Sequence, residues 1–361
     1  MHWLGFHDPK EHSSDLQGVT LAQQQAGGGD ALMTQGSLVL ELSLPDPNRP
    51  EVILHFAQDG DWALNLAIRA IPGGGISFVL QQSGRLFHAS LNASHQGRSG
   101  RVRLTYAWDC GAGEARFSLE TEESHRFQLA EFQAPCPWRY QDLRALLNDG
   151  PLREVSDSVE FLALSSQMEP IGPAPGLDPK SLVATPQGYR PVEDLQPGDR
   201  VLTEEAGEQP VLQVLRREVV ARGMFRPVWL RAPFFGLQQD VRLSSTQRIV
   251  LQGSEVEYMF GKPAVLVPAR HLLGTVVAQS RNLDDNLFTY CQVLLPQHLP
   301  ITVAGCAIES LYLGGMRRDP VRLKASQLNQ VARSRLPEHG PPRFPVLGEF
   351  DAVILADRRV A

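Results

Sequence analysis

The sequence lacks several features that would assign it to a specialised class of protein. Its four cysteines, among 361 residues, include no Cys-x-x-Cys pair and are too few for a disulfide framework. No apolar run reaches the roughly 18 residues that a membrane helix needs, and the first residues do not form a Sec signal peptide. We therefore expect reduced thiols, no membrane span and cytoplasmic residence by default, or secretion by a route without a Sec signal.

Long runs of one charge are also missing. Lys and Arg are interspersed with Asp and Glu, and the formal net charge is −6. A dedicated nucleic-acid surface usually shows as clustered positive charge, so we expect no nucleic-acid partner.

Turn residues and short β-rich runs are abundant. The chain has 27 prolines and 31 glycines, and long amphipathic helical patterns are scarce. From Ser37 onward, runs such as SLVLELSL and RVRLTYAWD alternate in hydrophobicity and are separated by Gly, Pro, Asn or Asp, which predicts antiparallel strands. One helix is predicted in WRYQDLRALLND. The sequence therefore predicts an all-β protein that begins with an antiparallel β-sandwich.

Five segments are predicted along the chain. The first segment, residues 1–30, is polar and is interpreted as a flexible arm, with an edge strand at Gly18–Leu21 as the alternative. In the C-terminal extension, residues 316–361, VRLKASQLNQVARSRLP is predicted to form a short helix and DAVILAD a final strand. The segments are the N-terminal arm 1–30, the β-sandwich 31–168, a Pro/Gly linker 169–176, a second β domain 177–315 and a C-terminal extension 316–361.

Four stretches of the second domain carry a family resemblance. They are SLVATPQGYRPVEDLQPGDRVLT, VRLSSTQRIVLQG, EVEYMFGKPAVLVPARHLLG and TYCQVLLPQHLPITVAGCAIESLYLGG. In this order they resemble the Hint module of inteins and of the Hedgehog autoprocessing domain, in its bacterial branch. The first stretch is consistent with a hairpin that turns at Pro186-Gln187-Gly188. The resemblance implies a Hint β fold for residues 177–315.

An active Hint module cleaves the peptide bond before its first residue. A Cys, Ser or Thr attacks the preceding carbonyl, and the histidine of a T-x-x-H segment protonates the leaving amine. The resemblance places the nucleophile at Gly176, or at Leu177 or Asp178 if the register slips, and none of these has a thiol or hydroxyl. The T-x-x-H segment aligns with Ser244 to Gln247, and Gln247 cannot shuttle a proton at neutral pH. We therefore expect the chemistry to be lost and the scaffold to be kept.

Three residues are alternative catalytic candidates. Ser181 carries the hydroxyl nearest in sequence to position 176. Because a strand advances over 3 Å per residue, we expect this hydroxyl to lie far from the site. Cys291 lies where relatives often carry a histidine, and it is either a relocated thiol or a small buried residue. His298, like His271, is either available for proton transfer or a structural or surface histidine.

The N-terminal half resembles lectin- or laminin-G-like sandwiches, chiefly in LTYAWDCGAGEARFSLE. Asp59, Asp61 and Asp109 belong either to a Ca²⁺ or sugar loop or to ordinary turns; we expect no cofactor or metal.

Three functions stay open. They are a non-catalytic binding or accessory protein, an autoprocessing protein with an unconventional nucleophile, and a carbohydrate- or cell-surface-binding protein. The expected partner is a protein or a glycan of unknown identity.

Overall fold

The computed structural model describes residues 2–10, 13–28, 30–93, 100–122, 127–281 and 285–360. Antiparallel strands dominate these residues, and helices are few and short. The all-β class predicted from the turn-bounded runs is therefore confirmed. Contacts between Cα atoms divide the chain into two compact units, residues 1–171 and 172–361. The division falls within the predicted linker, and independent folding of the two halves stays a prediction.

The first unit contains these elements among its described residues: β1 (Trp3–Asp8), β2 (Ser13–Asp15), α1 (Gln17–Gln25), β3 (Leu32–Met33), β4 (Gln35–Ser43), β5 (Glu51–Gln58), β6 (Leu64–Ile71), β7 (Gly75–Gln82), β8 (Arg85–Asn92), β9 (Arg101–Asp109), β10 (Glu114–Thr121), β11 (Phe127–Gln133), β12 (Trp138–Arg139), α2 (Tyr140–Leu147), β13 (Arg153–Val155) and β14 (Val159–Ser165).

Two antiparallel sheets of the first unit share one hydrophobic core. One sheet has the order β11-β10-β9-β4-β14-β1-β2, and the other has the order β13-β5-β6-β7-β8. Period-two alternation sends one set of side chains from each strand inward. Phe78 of β7 stacks on Tyr106 of β9 and on Phe117 of β10, with ring centroids 5.2 and 4.4 Å apart. The predicted sandwich is present, and the predicted helix is α2.

The N-terminal residues do not form the loosely ordered arm that the polar composition predicted. Strand β1 pairs with β14 and is buried along its length, so that β14 is an interior strand of the sheet and not a closing one. The alternative edge strand at Gly18–Leu21 is wrong as well, because these residues lie in α1. Trp3, Leu4 and Phe6 supply the burial that anchors this segment. Three apolar residues among polar neighbours form too short a hydrophobic pattern to predict a buried strand from the sequence.

The second unit contains these elements among its described residues: β15 (Leu182–Thr185), β16 (Gly188–Pro191), β17 (Arg200–Thr203), β18 (Gly207–Pro210), β19 (Gln213–Val220), β20 (Pro227–Leu230), β21 (Val241–Ser244), β22 (Arg248–Gln252), α3 (Ser254–Phe260), β23 (Ala264–Pro268), β24 (Ala278–Gln279), β25 (Leu287–Leu294), β26 (Pro300–Val303), β27 (Cys306–Glu309), α4 (Pro320–Ala325) and α5 (Glu349–Val360).

Small sheets of the second unit surround one core. The largest has the order β16-β15-β26-β27-β22-β23, and shorter sheets pair β17 with β18, β19 with β25, and β21 with β20 and β24. The predicted hairpin is β15–β16, in which Thr185 pairs with Gly188. Gly188 has a φ of 107°, which few residues other than glycine adopt.

The C-terminal extension packs on the core of the second unit. Segment DAVILAD is helical in α5 and not a strand, because Ala352, Leu355 and Ala356 follow the i, i+3, i+4 spacing that buries one helix face. Leu266 of β23 donates its N–H to the Pro345 carbonyl (2.8 Å) and accepts a bond from the Leu347 N–H (2.9 Å). The extension thus covers the edge of β23. The other predicted helix is shorter than expected, since α4 ends at Ala325.

The predicted linker is not an exposed tether. Pro173, Pro175 and Gly176 are buried, although proline-rich composition predicted few core contacts. Ala174 packs against Val219, Phe225 and Tyr290 of the second unit. The described part of the chain contains no helix that is long and apolar enough to cross a membrane.

Candidate functional site

The segment at Gly176 lies between two strands of the second unit. Leu177 exchanges backbone hydrogen bonds with Cys291 of β25, at 3.0 and 2.8 Å, and also bridges to Leu243 of β21. The Gly176 carbonyl accepts a hydrogen bond from the N–H of Ser244 (2.8 Å). The backbone is therefore held on both sides, and the direction of any side chain at position 176 is determined.

That direction leads straight to the segment predicted to replace T-x-x-H. A Cβ atom built on Gly176 would lie 2.8 Å from Ser244 Oγ and 3.0 Å from Gln247 Cβ, and it would also contact Gln247 Oε1. The structure thus brings together Gly176, Ser244 and Gln247, which sequence reasoning had aligned with the active site. A side chain at position 176 would therefore require Ser244 and Gln247 to shift, because real Cβ atoms rarely approach neighbours this closely.

The side-chain amide of Gln247 makes three hydrogen bonds, and the longest is the one that Nε2 donates to the Arg248 carbonyl at 3.3 Å. Its Nε2 donates to the Glu309 carbonyl (2.9 Å), and its Oε1 accepts a bond from Gln292 Nε2 (2.9 Å). Gln292 Nε2 also donates to the same Glu309 carbonyl, at 3.1 Å. Both glutamines are buried, so these bonds fix each amide in one orientation. We call Gln247, Gln292 and the Glu309 carbonyl the amide clamp.

The arrangement supplies hydrogen bonds but no reactive group. Glycine offers no nucleophile, and a glutamine amide neither gains nor loses a proton at neutral pH. The Gln247 Nε2 points to Glu309, which is already its acceptor. Ser244 Oγ is 3.4 Å from Thr246 Oγ1 and is the nearest hydroxyl to the Gly176 Cβ direction. With no base beside it among these contacts, a serine hydroxyl is a weak nucleophile.

Cys291 is next to the site in sequence but faces the other way. Its side chain belongs to the hydrophobic core together with Leu177 and Leu243, whereas position 176 faces Ser244. Burial raises the pKa of the Cys291 thiol, although Arg216 opposes this shift. A protonated, buried thiol is a poor nucleophile, so the structure favours the small buried residue over the relocated thiol.

Ser181 lies outside the site. Its backbone N–H donates to the Asp178 carbonyl (2.8 Å), and its carbonyl accepts a bond from Val192 (2.9 Å), which builds the turn into β15. Asp178 itself forms an ion pair with Arg242. These contacts are structural and leave Ser181 with no link to Gln247 among the hydrogen bonds of the described residues.

The two histidine candidates have structural surroundings. His298 Nε2 is 3.2 Å from Glu309 Oε1, and its ring lies 4.7 Å from that of Tyr312. Its contact is with the side chain of Glu309, whose backbone carbonyl belongs to the amide clamp. His271 Nδ1 donates a hydrogen bond to the Leu347 carbonyl at 3.1 Å, and burial lowers the pKa of His271 to about 4. Neither histidine makes a recorded contact with Gly176.

The aspartates of the first unit do not form a metal site in the described ranges. Asp109 Oδ1 accepts a hydrogen bond from the Ala112 N–H (2.9 Å), as turn residues do, while Asp59 and Asp61 are exposed. In the part of the chain that the structure describes, no three His, Cys, Asp or Glu side chains are grouped to hold a metal ion.

Sequence reasoning missed the partners of Gln247. Neither Gln292 nor Glu309 was among the predicted site residues. The available signal was a polar glutamine directly after Cys291, the position where relatives often carry a histidine. Pairing it with Gln247 needed the fold, because the two residues are 45 positions apart in sequence.

The comparisons with known proteins agree with this geometry. A family model described as Hint domain matches residues 175–315. The chain therefore contains a Hint domain, and Gly176 lies at its start. A search of curated proteins finds no match.

Solved structures include intein-like and carbohydrate-binding proteins among the matches. The gp41-1 intein is 16% identical (37% of this chain, 98% of that one, TM-score 0.24), and an intein-like domain from Clostridium thermocellum is 12% identical (38% and 99%, TM-score 0.26). The carbohydrate-binding module CBM40 of the Ruminococcus gnavus IT-sialidase, bound to α2,6 sialyllactose, is 14% identical (46% and 88%, TM-score 0.28). TM-scores this low do not establish a shared ligand.

Gly176→Ala should destabilise the second unit. The new methyl group would collide with Gln247, and overpacking a rigid core costs about 1–3 kcal/mol. Gly315→Ala is the matched control, because a Cβ there meets no atom within 4 Å and the φ is negative. Urea unfolding of the three proteins measures the difference. Equal stability of the two variants would show that position 176 has room for a side chain.

Stability should fall as the pH is lowered from 6.5 towards 4. Burial lowers the pKa of His339 to about 4, and the neighbouring His298 also lowers it, whereas the hydrogen bond that Nε2 donates to the Leu295 carbonyl opposes the shift. The pKa of His339 is lower in the folded state than in the unfolded state, where it is about 6.5. The folded protein therefore keeps its full stability above pH 6.5 and loses part of it as the pH falls towards the folded-state pKa.

The predicted loss for His339 is about 1–2 kcal/mol between pH 7.5 and 5. His339→Asn should reduce this pH dependence, whereas the exposed His88→Asn should leave it unchanged. Urea unfolding across this pH range tests the assignment, which fails if both variants retain the wild-type slope.

Proposed function

We propose that this protein is a non-catalytic binding or accessory protein, in which a β-sandwich is joined to a Hint domain that has lost self-cleavage. The supporting observation is the geometry at position 176. Its side-chain direction points at Ser244 and Gln247, as an attacking group would, yet the residue is glycine and the space is filled by the amide clamp.

The upstream segment supports the same proposal. A cleaving Hint module must release the residues that precede its first position. Here Ala174 packs against Val219, Phe225 and Tyr290, and Pro173 and Pro175 are buried. Apolar contacts of this kind stabilise the uncleaved chain. The partner that we expect for the intact protein is a protein or a glycan.

The intact mass of the purified protein tests the proposal. After prolonged incubation with dithiothreitol at neutral pH, we expect one species of 39.9 kDa. Cleavage before Gly176 would instead give two fragments, residues 1–175 and 176–361. Appearance of that pair, and its loss in a Ser244→Ala variant, would favour an autoprocessing protein with an unconventional nucleophile.

A further inference from the structure

Three polar side chains in the core of the sandwich have an atom without a direct partner. They are the hydroxyl of Tyr106, the indole N–H of Trp138 and the amide oxygen of Gln82. All three residues are at most 2% exposed. Buried polar groups are nearly always hydrogen-bonded, to protein or to ordered water, and an unpaired one costs stability. The three atoms therefore call for a common explanation.

The three side chains belong to one neighbourhood. Gln82 Nε2 donates to the Pro137 carbonyl at 2.6 Å, which places its amide beside Trp138. The ring centroids of Tyr106 and Trp138 are 6.3 Å apart. Cys136 Sγ lies 3.9 Å from the Gln82 carbonyl. Gln82 and Tyr106 thus approach the same short segment, Cys136–Trp138.

Their hydrogen-bonding capacities are complementary to one small molecule. Trp138 Nε1 can only donate, Gln82 Oε1 can only accept, and the Tyr106 hydroxyl can do both. Water accepts two hydrogen bonds and donates two, and buried waters in proteins typically make about three. We propose that Tyr106, Trp138 and Gln82 bind a buried structural water molecule in the core of the sandwich.

A crystal structure of the full-length protein tests the site directly. We expect an ordered water within hydrogen-bonding distance of Tyr106 Oη and of at least one of Trp138 Nε1 and Gln82 Oε1. Tyr106→Phe removes one of the partners while keeping the ring that stacks on Phe78. It should raise the unfolding equilibrium constant about 5–30-fold, the usual effect of losing a buried hydrogen bond.

Tyr290→Phe is the matched control in the other unit. Its hydroxyl donates directly to the Phe225 carbonyl at 2.9 Å, so the substitution should also raise the unfolding constant, with no water at the position. The proposal is overturned if the crystal structure shows no water between the three groups. It is equally overturned if Tyr106→Phe is as stable as the wild type or more stable, because removing an unsatisfied hydroxyl costs nothing.

Discussion

Leu355→Ala should lower the unfolding free energy of the second unit by about 2–5 kcal/mol. Leu355 is fully buried on α5 and packs in the same core as Leu347 and Ala352. Truncation leaves a cavity that the surrounding strands fill only in part, and for a unit of this size the melting temperature should fall by roughly 5–15 °C. The effect would show that the C-terminal extension is part of the folded Hint unit.

The control is on the same helix. Phe350 is 77% exposed, so Phe350→Ala removes a larger side chain at little cost, within about 0.5 kcal/mol. Differential scanning calorimetry of the two variants and the wild type measures both shifts. If Leu355→Ala melts at the wild-type temperature, the extension is not a structural part of the core.

Gly176→Cys combined with Gln247→His should restore cleavage before residue 176. Neither single change suffices. Gly176→Cys supplies a thiol, but Gln247 occupies the space that its Cβ needs and provides no proton for the leaving amine. A general acid typically contributes 10²–10⁴-fold, so the double variant should cleave at least about 100-fold faster than Gly176→Cys.

Mass spectrometry with and without dithiothreitol follows the cleavage. Gly176→Ala combined with Gln247→His has similar crowding and no nucleophile, and it should stay whole under every condition. Rapid cleavage by Gly176→Cys alone would mean that Gln247 does not stand in for the missing acid. An intact double variant that is folded by circular dichroism would mean that further catalytic groups have been lost.

Much of the Hint site was predictable because its motifs are local. The turn at Gly188 and the segment Ser244–Gln247 are short runs whose chemistry depends on neighbours in sequence. The alignment of Gly176 and Gln247 with the active-site positions followed from the family resemblance and stays a prediction, and the structure places the two residues next to each other. The amide clamp was not predictable in the same way, because its members come from the turn between β21 and β22 and from the strands β25 and β27, whose proximity depends on sheet pairing.

The two ends of the chain show where composition misleads. Trp3–Asp8 is short and its neighbours are polar, yet it pairs with β14 across more than 150 residues of sequence. DAVILAD is rich in β-formers, yet the spacing of Ala352, Leu355 and Ala356 matches a helix that can bury one face. In both cases a tertiary contact outweighs a weak local preference.

By itself, the sequence determined the all-β class and the position of the Hint domain, and it has glycine and glutamine at the positions that the resemblance aligns with the nucleophile and the histidine. These follow from turn residues, period-two alternation and side-chain chemistry, which are properties of short segments. Only the tertiary structure decided that a side chain at position 176 would collide with Ser244 and Gln247, that Gln247 is held by Gln292, and that β1 and α5 are built into folded units. Those facts depend on distances between residues far apart in sequence, which packing sets and local propensity does not.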